Sequence, residues 1–395
     1  MKIQAENNLI KKIEKSFEEM VFNRRYIHQN PELSYLENNT ADFVINKLNE
    51  LDIINKRCTE TGVVAIIGHG SPCIALRADM DALPIEEETG LEYSSKNKGV
   101  MHACGHDMHT TMLIEVAKQL KLIEPELKGT VKLIFQPGEE KTPGGASLMI
   151  KAGVLENPKP DIIFGQHIFP GANVGTVSFG TGPVMASADE LYISITGKST
   201  HAAQPHLGYD PITASTKLIS YFNDLMVKYK DPIKSGLINI TSIHGGTATN
   251  IVPDKVELKG TMRSFDTKWR DYMHSILIEN SKALCLLYNC ECEFEIVKGY
   301  PPVVNNSEAT DFGHKTAINL LGLDMVLDFE PKMWAEDFSF YGEQISSCFW
   351  FLGVKKPELD SMPALHNSKI VPEESAMING TALMVSVATN YLNNS

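Results

Sequence analysis

The chain has 395 residues, of which 43% are apolar and 22% charged, and it carries a formal net charge of −13 at pH 7. These proportions are typical of a soluble globular protein, and the length exceeds that of one ordinary hydrophobic core, so we expect two domains. The negative charge disfavours nucleic acid and anionic membranes as partners, and no apolar stretch approaches the roughly 20 residues of a membrane span.

The first residues, Met1 to Asn7, lack the apolar core of a signal peptide. The seven cysteines are scattered without the spacing of a disulfide framework. Cys290 and Cys292 are too close in sequence for an easy disulfide. We therefore expect a cytoplasmic protein whose thiols are free.

The N-terminal segment predicts one amphipathic helix that closes at Pro31. Its apolar face comprises Ile10, Ile13, Phe17 and Met20. From residue 63 to about residue 179, short apolar strands alternate with helices. This alternation predicts a parallel or mixed sheet that is covered by helices.

Three apolar runs in this region, at 75–78, 130–135 and 161–164, are followed by side chains that bind metals or protons. In chain order these are Asp79 and Asp81, then Glu139 and Glu140, then His167. Any one set alone is compatible with a turn or a solvated cap. Because ligands gather beyond the carboxyl ends of strands in open α/β sheets, we expect the three sets to meet.

Residues 101–109 contain a thiol, three imidazoles and a carboxylate. Cysteine and histidine share transition metals as a natural partner. Cys104 and His106 can reach one ion if the backbone turns at Gly105, and the following pattern places them at the start of a helix, where N–H groups help to hold a thiolate. A buried cysteine beside surface histidines is the plain alternative. His109 is either a further ligand or a residue that packs or caps the helix.

The middle of the chain predicts a second, smaller fold. Its elements run in the order strand, helix, strand, strand, helix, strand, which is the ferredoxin-like arrangement of one sheet with two helices on one face. Their predicted ranges are 191–196, 210–229, 237–243, 255–262, 266–288 and 291–297. We predict a sheet domain of residues 1–186 and 299–395, interrupted by this inserted domain at 187–298. His366 lies late in the chain and is expected to return to the first site.

Several motifs occur together in one order along the chain. They are Asp79-Met80-Asp81-Ala82-Leu83-Pro84, Cys104-Gly105-His106-Asp107, Glu139-Glu140, Gly197-Lys198-Ser199-Thr200-His201-Ala202-Ala203, Ala335-Glu336-Asp337-Phe338 and Leu365-His366-Asn367. Together they resemble the amidohydrolase branch of the aminoacylase and glutamate-carboxypeptidase metallopeptidase family. This branch includes hippurate hydrolases, auxin-conjugate hydrolases, N-acyl-L-amino acid amidohydrolases and N-acetyldiaminopimelate deacetylases. The resemblance extends from about Arg24 to Pro372.

The resemblance implies an α/β fold, with a mixed-sheet metallohydrolase catalytic domain and a ferredoxin-like (βαββαβ) lid and dimerisation domain. It also implies two divalent metal ions per subunit, which the chemistry of the ligands leaves open as Mn²⁺, Zn²⁺ or Co²⁺. The positions that match metal ligands are Cys104, His106, Glu140, His167 and His366.

Further roles follow from the same resemblance. Glu139 matches the general base, and Asp81 matches a carboxylate that orients a ligand imidazole. In the wider family the position of Asp79 is a histidine ligand and that of Cys104 a bridging aspartate. This chain departs from both as the amidohydrolase branch does, so Asp79 is expected to support the ligands rather than bind metal.

The smaller domain is implied to contribute to catalysis and to substrate recognition. His201 matches a histidine that reaches the active site of the partner subunit, which implies a homodimer. Asn250 and Arg263 match positions that bind a small-molecule substrate.

The predicted activity is metal-dependent hydrolysis of the amide bond of N-acyl amino acids. A metallo-carboxypeptidase or dipeptidase shares this chemistry, and the departures at Asp79 and Cys104 favour the amidohydrolase. A catalytically silent binding protein is an alternative from another class. The chain retains Glu139 and every residue that matches a metal ligand, which counts against this alternative. A metal-storage or sensor function does not explain the large sheet domain and the lid.

Overall fold

The computed structural model describes residues 2–394, and their side chains from residue 8 to residue 393. It divides into two compact units. The larger unit consists of Met1–Val184, Val304–Glu330 and Asp337–Ser395, and the smaller one of Met185–Val303 and Pro331–Glu336. The predicted division at 187–298 stays a prediction, and the structure adds a short second segment to the smaller unit.

The strands and helices alternate through most of the chain. The strands are β1 (Ile54–Arg57), β2 (Val63–Gly68), β3 (Cys73–Asp79), β4 (Thr130–Gln136), β5 (Ile162–Asn173), β6 (Val177–Phe179), β7 (Gly182–Met185), β8 (Asp189–Thr196), β9 (Thr200–His201), β10 (Gly236–His244), β11 (Ile251–Val252), β12 (Lys255–Ser264), β13 (Glu291–Lys298), β14 (Val303–Asn305), β15 (Val326–Asp328) and β16 (Ser346–Lys355). The helices are α1 (Lys2–Lys15), α2 (Phe17–Gln29), α3 (Asn38–Glu50), α4 (His106–Leu122), α5 (Gly145–Lys151), α6 (Pro211–Tyr229), α7 (Thr267–Leu286), α8 (Ser307–Leu321), α9 (Ser339–Gly342) and α10 (Ala376–Asn394).

The larger unit is built on an eight-stranded sheet with the order β1-β2-β4-β3-β5-β16-β6-β15. β3 runs parallel to both β4 and β5, whereas β2 is antiparallel to β4. The sheet is therefore mixed, as predicted. Every residue of β3 and β4 is buried, as expected for strands that are covered on both faces. Asp79 pairs with Gln136, so the segments that follow β3 and β4 leave the sheet at the same edge.

The structure corrects the predicted end of β5. The strand does not stop before His167 but continues to Asn173, and His167 pairs with Phe351 of β16. The apolar run 161–164 is followed by Gly165, and this glycine suggested that the strand ended there. A Cβ atom there would lie 2.7 Å from the ring of Phe349. The glycine therefore makes room for a neighbouring ring and does not end the strand.

The predicted N-terminal helix is in fact two helices, α1 and α2, which are separated at Ser16. Ile13 and Met20 are buried as expected. The two helices have different partners, because α1 packs on α10 and α2 packs on α4. One straight helix cannot follow both, so the chain breaks between them.

The smaller unit has the predicted ferredoxin-like form. Its four-stranded antiparallel sheet has the order β10-β12-β8-β13, and α6 and α7 pack against it. β8 alternates buried and exposed residues, which is the pattern of a strand with one face on a core. Leu191, Ile193 and Ile195 form the buried row. β9 and β11 form a separate short ribbon.

Among the described residues, no helix is both long and apolar enough to cross a membrane. The seven cysteines are all free.

Candidate metal centre

The Cys-Gly-His loop stands at the start of α4, as the sequence predicts. Gly105 has φ +84°, which a residue with a side chain rarely adopts. A Cβ atom at this position would also lie 2.2 Å from Cδ1 of Ile168. The glycine therefore permits the turn between Cys104 and His106, and both of these side chains are buried.

Two imidazoles are oriented through their Nδ1 atoms. His106 Nδ1 lies 2.9 Å from the carbonyl oxygen of Asp81 and 3.3 Å from its Oδ1. His167 Nδ1 donates to the carbonyl oxygen of Ile168 at 2.8 Å. Nδ1 is thus the donor in both of these contacts, which leaves the Nε2 atom of each ring facing the site. Metal-binding histidines are commonly oriented in this way.

The Nε2 atoms point at other potential ligands. His167 Nε2 lies 3.3 Å from Sγ of Cys104, and His106 Nε2 lies 4.0 Å from Oε1 of Glu140. His106 Nε2 has no hydrogen-bond partner, although it is buried. Buried polar atoms without partners are rare in native proteins and ask for an explanation such as an ion.

His366 returns to this site, as predicted. Its Nε2 lies 3.1 Å from Oε1 of Glu140, and its backbone N–H donates to the carbonyl of Ala103 at 2.9 Å. His366 also has φ +63°, a conformation that is uncommon for a residue with a side chain and is often found at functional sites. Its side chain is about half exposed, so this edge of the site faces outward.

The potential ligand atoms form two overlapping groups that share one thiol. Cys104, His106 and His167 form the first, and Cys104, Glu140 and His366 form the second. Within each group the atoms lie within 4.8 Å of one another. Glu139 joins His106 and Glu140 in a third group. All five predicted ligand residues and the predicted base are thus brought together.

The electrostatic environment favours a cation. Burial lowers the pKa of His106, but Asp79, Asp81 and Glu140 outweigh it and raise the pKa to about 10. Burial and the neighbouring carboxylates raise the pKa of the Cys104 thiol well above its usual value. The surrounding carboxylates thus keep a proton on His106 and oppose ionisation of the Cys104 thiol. The same negative electrostatic field stabilises a divalent cation, whose charge can take the place of these two protons. The residues present therefore fit a metal site.

Asp79 and His109 form a further candidate group with His106, and they are also hydrogen-bonded to each other. Asp79 Oδ1 lies 2.6 Å from Nδ1 of His109, and its Oδ2 lies 2.6 Å from the guanidinium of Arg77. The N–H of Ile168 donates to Nε2 of His109 at 2.9 Å. Both nitrogens of His109 and both oxygens of Asp79 are thus engaged within the protein.

A buried polar network beneath the site escaped the sequence analysis. Arg77 donates to Asp337 at 2.8 Å and to Gln136 at 2.9 Å. Asp337 also accepts from the N–H of Ala146 at 2.9 Å. The sequence does contain a signal for this network. Arg77 is a charged residue inside an apolar run, and a buried charge requires partners. The identity of those partners is not encoded locally.

A second network fixes the first turn of α4 to α2. Asp107 Oδ2 lies 2.7 Å from Nε of Arg24 and 2.8 Å from Nδ1 of His28. Burial opposes ionisation of Asp107, but Arg24 and His28 lower its pKa well below the usual value. This ion pair holds the residue that follows His106 in the chain.

The remaining predicted residues lie in the smaller unit. His201 is exposed on β9 and pairs with Ile251, and the carbonyl of Asn250 accepts from the N–H of Ala202 at 3.0 Å. His201 and Asn250 are therefore neighbours. Arg263 lies far from them, near the other end of β12, where burial lowers its pKa.

A cluster of thiol, imidazole and carboxylate side chains at one edge of a mixed sheet, with a further carboxylate beside it, is typical of a metal-dependent hydrolase. Comparison with known proteins agrees. Residues 75–390 match peptidase family M20/M25/M40, and the chain belongs to this family. The predicted family, fold class and assignment as a metal-dependent amidohydrolase are confirmed.

Relatives with similar sequences extend along nearly the whole chain. IAA-amino acid hydrolase ILR1-like 4 of Arabidopsis thaliana is 38% identical, over 95% of this chain and 86% of its own. N-acetyl-L-cysteine deacetylase of Bacillus subtilis (strain 168) is 37% identical, over 93% and 87%. Thermostable carboxypeptidase 1 of Saccharolobus solfataricus is 38% identical, over 94% of both chains.

The crystal structure of Bacillus subtilis YXEP protein, described as a dinuclear metal binding peptidase from the M20 family, superposes with a TM-score of 0.83. It is 32% identical and covers 96% of this chain and 100% of its own.

Proposed function

We propose that this enzyme hydrolyses the amide bond of N-acyl amino acids and releases a carboxylic acid and the free amino acid. The observation that carries the proposal is the position of Glu139, a buried carboxylate grouped with His106 and Glu140. The names of two relatives, an IAA-amino acid hydrolase and an N-acetyl-L-cysteine deacetylase, support the substrate class.

The proposed site holds two divalent ions, which are Zn²⁺, Mn²⁺ or Co²⁺ by the chemistry of the donors. The residues that would hold them are Cys104, His106, Glu140, His167 and His366. When bound, such metals lower the pKa of water and polarise a carbonyl group. Cys104 belongs to both ligand groups, which supports a role for its thiolate as the shared ligand.

The residues of the chain supply the proton transfers and the alignment. Glu139 accepts the proton of the attacking water and delivers it to the leaving nitrogen. Asp81 keeps the imidazole of His106 in one tautomer and one orientation through the contacts at Nδ1. Asp79 does the same for His109, which in turn holds the backbone beside His167.

We propose that the enzyme works as a homodimer in which His201 stabilises the developing oxyanion in the partner's site. Lys255 pairs with Thr196 at the His201 end of the small sheet, and Met262 pairs with Asp189 at the Arg263 end. β8 has eight residues, so about seven steps of roughly 3.3 Å each, or roughly 23 Å, separate these ends.

An N-acyl amino acid with a short acyl group cannot span that distance. This separation of the two strand ends supports a site in which one copy supplies His201 and the other supplies Arg263. In the proposal, Arg263 binds the substrate carboxylate, for which a guanidinium offers two parallel hydrogen bonds, and Asn250 binds beside His201.

The free thiols support a cytoplasmic location.

The test is activity against a panel of acetyl, benzoyl and indoleacetyl amino acids, with Zn²⁺, Mn²⁺ or Co²⁺ supplied and the bound metal quantified. We expect turnover that requires metal and is abolished by a chelator. Absence of turnover of both N-acyl amino acids and peptides, in protein that is shown to hold metal, would instead indicate a silent binding protein.

A carboxypeptidase or dipeptidase is the second candidate, because one relative of 38% identity is named thermostable carboxypeptidase 1. N-blocked dipeptides and free dipeptides in the same panel distinguish the two. A kcat/KM for peptides that exceeds that for every N-acyl amino acid would favour the peptidase.

A further inference from the structure

The loop between β4 and α5, residues 137–144 and here called the base loop, carries Glu139. Tyr35 bridges this loop from outside. Its Oη donates a hydrogen bond of 2.5 Å to the carbonyl of Lys141 and accepts one of 3.1 Å from the N–H of Gly144. One phenol hydroxyl thus fixes two backbone positions on the C-terminal side of Glu139.

Glu37 fixes the other side of the base loop. Its Oε1 accepts hydrogen bonds from the N–H of Gly138 at 2.8 Å and from the N–H of Tyr35 at 2.9 Å. Its Oε2 accepts from the hydroxyl of Thr61 at 2.7 Å. Glu37 is fully buried, so these donors replace the water that a carboxylate needs. The residue directly before Glu139 is therefore held by a carboxylate that is itself held in place.

The Tyr35 side chain and the base loop are also complementary in shape. Gly138 has φ +59°, and a Cβ atom there would lie 2.2 Å from Cε1 of Tyr35. The tyrosine ring thus lies directly against the backbone of the base loop. Tyr35 itself has φ +68°, a conformation that costs free energy in a residue with a side chain and persists where the surroundings enforce it.

The ligand Glu140 is attached separately. Its N–H donates to Oδ2 of Asp81 at 2.9 Å, and the same oxygen accepts from the hydroxyl of Ser34 at 2.6 Å. This attachment does not involve the hydroxyl of Tyr35. Loss of that hydroxyl should therefore affect the base more than the neighbouring ligand.

We propose that Tyr35 and Glu37 are positioning residues, which hold the base loop so that the carboxylate of Glu139 is aligned with the attacking water. The proposal rests on the proposed function in taking Glu139 as the base. In this role neither residue contacts the substrate. They act by restricting the backbone on both sides of Glu139, and a misplacement of about 1 Å at a reacting group is enough to slow catalysis by about a hundredfold.

The first test measures the loop itself by hydrogen–deuterium exchange of Tyr35→Phe, which keeps the ring against Gly138 and removes only the hydroxyl. We expect faster exchange in peptides that cover the base loop and unchanged exchange elsewhere. Tyr26→Phe is the matched control, because Tyr26 lies on α2, is 41% exposed and stacks on Phe43. Unchanged exchange of the base loop in Tyr35→Phe would overturn the proposal.

The second test is kinetic. In Tyr35→Phe we expect kcat to fall about tenfold to a hundredfold, with KM within about twofold and metal content unchanged. The loss should disappear when Tyr35→Phe is introduced into Glu139→Gln, because a misaligned base matters only if the base is present. An equal loss in both backgrounds would show that Tyr35 acts on something other than Glu139, and the proposal would fail.

Glu37 provides an independent variant pair. Glu37→Gln retains an acceptor for the N–H groups of Gly138 and Tyr35, whereas Glu37→Ala removes it, so Glu37→Gln should lose less of kcat than Glu37→Ala. Equal losses would count against the proposal. If the wild-type enzyme hydrolyses no N-acyl amino acid, the proposed function fails, while the exchange measurement still decides whether Tyr35 holds the base loop.

Discussion

His109 accepts a hydrogen bond of 2.9 Å at Nε2 from the backbone N–H of Ile168. Its other nitrogen donates to Asp79, so one imidazole joins the end of β3, the first turn of α4 and the middle of β5. Ile168 follows His167 directly, and the rings of His109 and His167 lie 4.6 Å apart. The sequence left His109 open as a ligand or a packing residue, and its hydrogen bonds favour the second role, since no nitrogen is left to bind a metal.

Replacement of Glu139 tests the proposed base. Glu139→Gln keeps the size of the side chain but cannot accept the proton of the water. We expect kcat to fall by about 10²–10⁴, the usual contribution of a general acid–base group, with metal content retained. Glu140→Gln is the matched comparison and should lose metal as well as activity. Near-normal turnover of metal-loaded Glu139→Gln would refute the assignment.

Mixed dimers test whether His201 serves the partner subunit. A His201→Ala chain and a Glu139→Gln chain are each expected to be inactive. If sites are shared, a hybrid of the two contains one site with both residues intact and should recover part of the wild-type activity. The measurement is turnover after mixing, with subunit exchange followed independently by mass. Exchange without recovery would mean that each site is complete within one chain.

Arg263 is expected to recognise the substrate carboxylate. Arg263→Lys retains the charge but loses the paired hydrogen bonds, so kcat/KM should fall much more for N-acyl amino acids than for their amides. The difference should correspond to about 1.5–3 kcal/mol, the scale of a hydrogen bond to a charged group. Arg57→Lys, on an exposed strand of the larger unit, is the control. Equal losses on acids and amides would exclude this role.

Glu37 predicts a pH dependence of stability. Burial and the charge of Asp81 raise its pKa from 4.5 to about 7, so the folded chain binds this proton more tightly than the unfolded chain. The resulting stabilisation is complete below the unfolded pKa and is lost as pH rises through the folded pKa. Relative to Glu37→Gln, which cannot titrate, the wild type should therefore lose about 3 kcal/mol of unfolding free energy between about pH 4.5 and pH 8.

Urea denaturation of both proteins at several pH values, with metal removed by a chelator, measures this difference. Glu126→Gln replaces an exposed glutamate and should follow the wild type. Parallel pH curves for the wild type and Glu37→Gln would show that the carboxyl is not perturbed by its burial.

Local pattern was sufficient for much of the fold. The apolar run at 130–135 predicted β4 to within one residue of its observed end at Gln136, and the strand predicted at 191–196 lies within β8. The errors in the predicted element boundaries arise from tertiary contacts, which the local sequence does not reveal. β5 continues past Gly165 because it pairs with β16 on both sides of this residue, and the glycine makes room for a ring of β16. The first helix breaks at Ser16, and its halves pack on different helices.

The same division applies to the site. Residue type and motif order were enough to nominate Cys104, His106 and Glu139, because metal ligands and bases come from a small set of side chains. Tyr35 and Glu37 could not be found in this way. Glu37 and Gly138 are 101 positions apart in the chain, and nothing near Glu37 indicates which distant backbone N–H its carboxylate accepts from.

The turn at Gly105 also determines how this site can evolve. Any other residue there must adopt φ +84° and displace Ile168, whose Cδ1 lies 2.2 Å from the position of a new Cβ. Random variation at position 105 should therefore yield mostly inactive clones, in nature or in a laboratory library. Variation at Cys104 or His106 instead changes the donor atoms on an unaltered backbone. The route to a different metal preference thus runs through the two proposed ligands, while the residue between them stays fixed.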